Sequence, residues 1–318
     1  MNIKLKDNFK NNSALITFFI LFILTWVLKG DVFFNCRNIL NILLNNSIVG
    51  IIALGMSFII FTGGIDLSVG SQLAGIGLIV ISVLNKTGNI FIAIAVGILA
   101  GILTGALTGI FISKFNIPAF IVTLGTMSIY RSLSQHFFNG GGIRVNPNGK
   151  SFLSISNIRF FDSFSIIILY WILISLVCLI ISKKTGLGKH IYATGSNEKA
   201  TRLSGINTDR IKIITYTISG VLVSLAAIIE ASRLGSMNSA SSGISYEMDA
   251  IAAVVIGGTS MSGGKGRILG TVFGTLTLGI INNMMNLLGV PTFLVSAIKG
   301  AIIIGAVLVQ NQVNKKSN

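Results

Sequence analysis

Lys183-Lys184-Thr185-Gly186-Leu187-Gly188-Lys189-His190-Ile191-Tyr192-Ala193-Thr194-Gly195-Ser196-Asn197-Glu198-Lys199-Ala200-Thr201-Arg202-Leu203-Ser204-Gly205-Ile206, continuing through Asp209-Arg210-Ile211-Lys212, is a long, densely charged passage set between apolar runs. It carries seven of the chain's 24 Lys and Arg, with Glu198 and Asp209 as its only acids. A segment this polar cannot lie in hydrocarbon, and its cations place it on the cytoplasmic side of a membrane. Within it, 197–203 suits a short helix, with Asn197 as cap and Glu198 in the first turn, where the helix dipole favours an anion. Gly195 and Gly205 are expected to bracket that helix as turns, which makes it a rigid docking piece on the cytoplasmic face.

The rest of the chain fits a membrane around this loop. Of 318 residues, 52% are hydrophobic and only 10% charged, with a mean hydropathy of +0.83, too few charges to cover a soluble globule. Apolar runs at 14–28, 39–61, 69–84, 90–112, 119–138, 164–181, 211–231, 250–258, 268–285 and 292–309 give about ten transmembrane segments, of which 250–258 has the length of a half-helix. Gly is plentiful (36) and Pro scarce (3), a balance that suits closely packed helices, and the alternating segments of a barrel are absent. The expected fold is an all-α polytopic membrane protein, one transmembrane domain over 1–318 with 183–212 as a cytoplasmic loop inside it.

Charge sets the orientation. Lys4, Lys6 and Lys10 precede the first run, and no small-residue cleavage pattern follows it, so it reads as an uncleaved span with a cytoplasmic amino end. Threading ten spans from there puts the central loop, Lys114, Lys265, Arg267, Lys315 and Lys316 inside. Fewer cations fall outside, at Lys29, Arg37, Lys86, Arg144, Lys150, Arg159 and Arg233, and both termini are then cytoplasmic. The net charge of +15 is this bias spread over loop ends, not a nucleic-acid surface, because the cations are neither gathered on one face nor interleaved with aromatics. Cys36 and Cys178 have no partner spacing for a disulfide framework or a metal, and no cofactor is expected in this chain.

Two glycine-rich breaks are alike: Gly63-Gly64, then Gly70-Ser71, and Gly263-Gly264, then Gly270-Thr271, each opening an apolar helix. They read either as corresponding turns of two halves with broken helices along a transport path, or as unrelated turns. Gly149-Lys150-Ser151 echoes a phosphate-binding loop, but Arg144 stands where that loop needs glycine, so any ATP would be hydrolysed by another polypeptide. Asn38, Asn41 and Asn45 share one helix face and Asn282 and Asn286 another; such amides serve either a neutral polar passenger along a path or bonds between helices. Asp66 either caps the helix after it or gates. Lys299, inside an apolar run, needs a buried partner, since a charge at a helix centre costs roughly 2.5–3.5 kcal/mol.

Gly64-Ile65-Asp66-Leu67-Ser68-Val69-Gly70-Ser71, Pro118-Ala119-Phe120-Ile121-Val122-Thr123-Leu124-Gly125-Thr126, the passage from Thr194 to Ile206, and Tyr246-Glu247-Met248-Asp249-Ala250-Ile251 onward through Gly263-Gly264-Lys265-Gly266-Arg267 resemble the permease subunits of bacterial monosaccharide (ribose-type) ABC importers. The ribose-type resemblance is carried by 200–206, Ile228-Ile229-Glu230 and 282–290. It implies a multi-pass protein of the bacterial inner membrane that passes a monosaccharide, ribose being the one it best matches, as a homodimer among membrane lipid. A two-domain ATP-binding subunit would sit beneath it, holding ATP and Mg, and an extracytoplasmic sugar-binding protein above. The resemblance assigns the coupling role to Asn197, Glu198, Ala200, Arg202, Ser204 and Gly205. Lys199 is an added basic residue there, and Ser239-Ala240-Ser241-Ser242 stands where family members often carry proline.

A secondary transporter coupled to protons or sodium is the rival. It predicts paired intramembrane carboxylates, and the sequence places only Asp66 and Glu230 near span interiors. A scaffold without transport leaves the glycine breaks idle, and an enzyme lacks any nucleophile and base pair.

Overall fold

The computed structural model describes residues 13–160 and 164–315; Lys4, Lys6, Lys10 and Lys316, which entered the charge argument, lie outside them. Every apolar run forms a helix. These are α1 (Ser13–Phe33), α2 (Cys36–Phe61), α3 (Val69–Thr87), α4 (Ile90–Lys114), α5 (Ala119–Phe137), α7 (Ile166–Lys184), α10 (Thr208–Leu234), α11 (Tyr246–Ile256), α12 (Ile268–Leu287) and α13 (Thr292–Lys315). Between them lie the short helices α6 (Lys150–Asn157), α8 (Gly186–Ser196) and α9 (Glu198–Leu203). Among the described residues, 7 helices are long and apolar enough to cross a membrane: α1, α2, α3, α4, α7, α10 and α12. Helix α11, at 11 residues, rises only about 16 Å, half of a hydrocarbon core.

Helix α10 is the axis of the bundle and packs along α4, α2 and α3. Its contact with α4 is backbone on backbone. A Cβ at Gly101 would stand 2.4 Å from the Gly220 carbonyl oxygen, and one at Gly220 would stand 2.1 Å from that of Gly101. Small residues at this crossing bring the helices close enough for dispersion to hold them where lipid offers no hydrophobic drive.

Two helices begin inside the bundle instead of at its surface. Gln72, in the first turn of α3, donates to Thr104, which lies ten residues, about 15 Å, before the end of α4 at Lys114. Helix α11 starts beside it, where the backbones of Gly70 and Gly243 touch. The chain reaches these starts through non-helical 62–68 and through the segment after α10, which carries β4 (Ser236–Asn238). β4 pairs antiparallel with β1 (Gly142–Arg144), Ile143 opposite Met237, and β2 (Arg159–Phe160) pairs with β3 (Phe164–Ser165). These strands tie loops at one end of the bundle. The other end, where α2, α4 and α7 finish and α10 and α12 begin, carries the central loop and is here called the basic end.

Candidate functional site

At the basic end three backbone segments meet. The Gly264 amide donates to the Phe61 carbonyl at 3.0 Å, and a Cβ placed on Gly263 would lie 2.9 Å from both the Gly63 nitrogen and the Gly195 carbonyl oxygen. The two glycine breaks that are alike in sequence therefore touch in space, and α8 sits on both. Gly195 itself is not the turn expected from the sequence. It is the penultimate residue of helix α8, and its missing side chain is what admits the Phe61 carbonyl, because tertiary contact and not a bend is what needs glycine there. Gly205, with φ +82°, is a true turn.

Helix α9 hangs from this joint. Asn197 Oδ1 accepts from the Ala200 amide at 3.0 Å, the N-cap bond that relieves one orphan donor. Ser204 is its C-cap. Two side-chain clamps fix α9 to α10: Lys212 Nζ donates to both Glu198 oxygens at 2.7 and 2.8 Å, and Arg202 donates to Asp209 Oδ1 at 2.7 Å and to Thr208 Oγ1 at 2.9 Å. Burial pushes the Glu198 carboxyl up, but the hydrogen bonds from Lys212 and Thr208 and the charges of Lys212 and Arg202 outweigh it and hold the group below its ordinary value. With Glu198 and Arg202 engaged by α10, α9 leaves Lys199, Ala200 and Leu203 exposed, Leu203 at 89%.

One turn beyond Lys212 on the same face of α10, buried Tyr216 donates through its hydroxyl to the Ile65 carbonyl at 3.0 Å. Next to Ile65, Asp66 Oδ1 accepts from the Ser68 amide at 2.8 Å and the Ser68 hydroxyl at 2.6 Å, closing the turn before α3. Lys212 and Tyr216, one turn apart on α10, thus tie that helix to α9 and to the segment leading to the interior start of α3. Leu203 and Tyr216 were not singled out from the sequence; for Tyr216, its four-residue spacing from Lys212 was the signal that could have found it.

The amides have mixed fates. Asn38 and Asn283 exchange hydrogen bonds at 2.7 and 3.2 Å and join α2 to α12. Asn45 accepts from Arg233 at 2.7 Å, Asn41 and Asn286 are exposed, and Asn282 keeps its carbonyl oxygen buried without a hydrogen bond. Lys299 finds the buried partner it needs in Asp249, at 2.9 Å. Asp249 and Glu247 also enlarge the set of acids inside the bundle beyond Asp66 and Glu230, because α11 starts in the interior and carries both in its first turn. Among the described residues no cluster of metal-ligating side chains occurs.

Known proteins give the geometry a context. Residues 38–307 match the family model described as branched-chain amino acid transport system / permease component. The chain is 42% identical over 286 residues to the ribose import permease protein of Escherichia coli (strain K12), covering 88% of this chain and 87% of that protein. It is 42% identical to the ribose import permease protein of Bacillus subtilis (strain 168) over 294 residues, 92% of this chain and 90% of that one. Identity to the L-arabinose transport system permease protein of Escherichia coli (strain K12) is 39% over 266 residues, 82% and 79% of the two chains. No solved structure matches the chain.

Proposed function

The chain belongs to the family of branched-chain amino acid transport system permease components, and from that membership we propose that it is the membrane permease of an ATP-driven importer that passes ribose or a closely similar monosaccharide into the bacterial cytoplasm. The observation that carries the reading is 42% identity to ribose import permeases over 88% or more of the chain. It is a multi-pass protein of the bacterial inner membrane. As a permease subunit it works with an ATP-hydrolysing partner and a substrate-binding protein.

The finer arrangement follows from the residues. The basic end faces the cytoplasm, both termini with it, in keeping with the positive-inside bias. α9 is the piece the ATPase grips, with Asn197, Ser204 and Gly205 setting its ends, Glu198 and Arg202 fastening it to α10, and Ala200 and Leu203 in contact. Work done on α9 passes through Lys212 and Tyr216 to the Gly63-Gly64 break and so to the inner start of α3, while Gly263-Gly264 carries it to α12. Asn41, Asn45, Asn282 and Asn286 stay as path residues, and Asn38 acts from its bond with Asn283. Two copies form the pore, with ATP and Mg on a two-domain partner. Asp249 is paired with the Lys299 ammonium and not with a second carboxylate, which weighs against ion-coupled transport.

Reconstitution tests this. Proteoliposomes containing the chain with its ATPase should take up labelled ribose when loaded binding protein and ATP are supplied, and a cysteine at Asn197 should react with an impermeant reagent only from the ATPase side. The isolated chain should hydrolyse no ATP above background. Ribose uptake driven by a proton or sodium gradient without the ATPase would overturn the reading.

A further inference from the structure

Beside the interior starts of α3 and α11 lies a cavity of about 340 Å³, lined by Ser71 of α3, Ser128, Arg131, Ser132 and Gln135 of α5, and Glu247 of α11. We propose that this cavity is a transit site inside the membrane for a single neutral sugar, with Arg131 and Glu247 as its two poles; the identity of the sugar rests on the importer reading above.

The first argument is the face of α5. Ser128, Ser132 and Gln135, spaced four and three residues apart, are exposed on one stripe, while Ile129, Leu133 and Phe137 form a separate exposed apolar stripe. Lipid satisfies the apolar stripe. Ser128 already donates to the Leu124 carbonyl at 3.1 Å, but lipid offers nothing to Ser132 and Gln135, so that side of α5 suits water or a polar passenger.

The second argument is chemical complementarity. Arg131 donates to the Ser239 and Ser242 carbonyls, each at 2.9 Å, which fixes the guanidinium at the cavity wall and holds the segment before α11 against α5. Arginine only donates and a carboxylate only accepts, whereas a sugar hydroxyl does both and bridges the two, with serine hydroxyls and the Gln135 amide serving the remaining positions. Arg131 and Glu247 are of opposite sign, so the wall carries no net charge to favour an ionic passenger, and a neutral polyol satisfies both. The volume lies at the low end of ligand sites, about 300–1,000 Å³, which admits a monosaccharide and not a longer chain. Position agrees: the cavity adjoins the helix start that Tyr216 and the Gly63-Gly64 break connect to α9, so motion at the basic end changes the shape of this wall.

The test uses the whole transporter, permease with ATPase and binding protein, in proteoliposomes, with Cys36 and Cys178 replaced by serine and Ser132→Cys introduced. Methyl methanethiosulfonate should modify the new thiol, and millimolar ribose under turnover should slow modification at least about threefold, while glutamate should not. Arg131→Gln, which keeps donors but removes the charge, should raise the ribose concentration for half-protection about tenfold, in the range expected for loss of one charge-assisted hydrogen bond. A thiol that never reacts, as when a second copy is packed on this face, overturns the proposal, and so does a reaction rate unchanged by sugar in vesicles that take up ribose normally. If ribose is not taken up but arabinose is, and arabinose protects, the cavity stands and the ribose reading falls.

Discussion

Gly195→Val is expected to leave little folded permease in the membrane and to abolish uptake. A Cβ at this position would lie 1.8 Å from the Phe61 carbonyl oxygen and 2.6 Å from the Gly264 nitrogen, both backbone atoms that no rotamer change can move aside. To admit a side chain the three segments at the basic end must separate, which breaks the Gly264 to Phe61 hydrogen bond and unseats α8, the root of α9. Overpacking costs typically about 1–3 kcal/mol, and this site belongs at the upper end because every wall is main chain. Thermal unfolding of the purified protein in detergent should show a clearly lowered Tm, and Gly186→Val, where an added Cβ meets nothing within 4 Å, should not. A wild-type Tm for Gly195→Val would mean that α8 does not bear on the two breaks.

The ion pair of α11 and α13 should behave as a unit. In Asp249→Asn the Lys299 ammonium, 19% exposed, loses its partner inside the bundle, and in Lys299→Met the Asp249 carboxylate, 16% exposed, is left alone. Breaking a buried pair from one side costs about 3–5 kcal/mol, because an uncompensated charge remains, whereas removing both charges is often close to neutral. Each single variant should therefore lose stability and membrane abundance, and Asp249→Asn with Lys299→Met together should regain most of both. A double variant as unstable as the two singles summed would contradict the pairing.

These effects depend on contacts that the sequence carries unevenly. The helices were legible because each apolar run is long and bounded by polar or glycine residues, and α9 was legible because Asn197 and Glu198 mark its start by local chemistry alone. Lys299 announced that it needed a partner but not which one, since Asp249 is fifty residues away and reaches it only through the packing of α11 on α13. Helix α8 went unseen: five of its eleven residues are glycine or β-branched, poor helix formers that tertiary contact overrides. The same cause hid the role of Gly195, whose neighbours come from two distant loops. Arg131 lay in a run read simply as apolar and Glu247 in the stretch before the next one, and their meeting depends on α11 starting inside the bundle, which no local pattern states.

The central claim is that α9 is the handle by which the ATPase moves the permease. Ala200 tests it most directly, because its side chain is exposed and takes no part in the clamps that hold α9 to α10, so Ala200→Glu changes the outer face and not the fold. The measurement is copurification of the ATPase with the tagged permease, alongside uptake of labelled ribose in the same cells at matched membrane levels. The account predicts normal insertion, copurification reduced about tenfold or more, and uptake lost with it, since a charge at a packed contact between proteins costs on the order of 1.4 kcal/mol or more. Wild-type copurification and uptake in Ala200→Glu, with Leu203→Glu equally silent, would contradict it and return α9 to being a solvated connection between two spans.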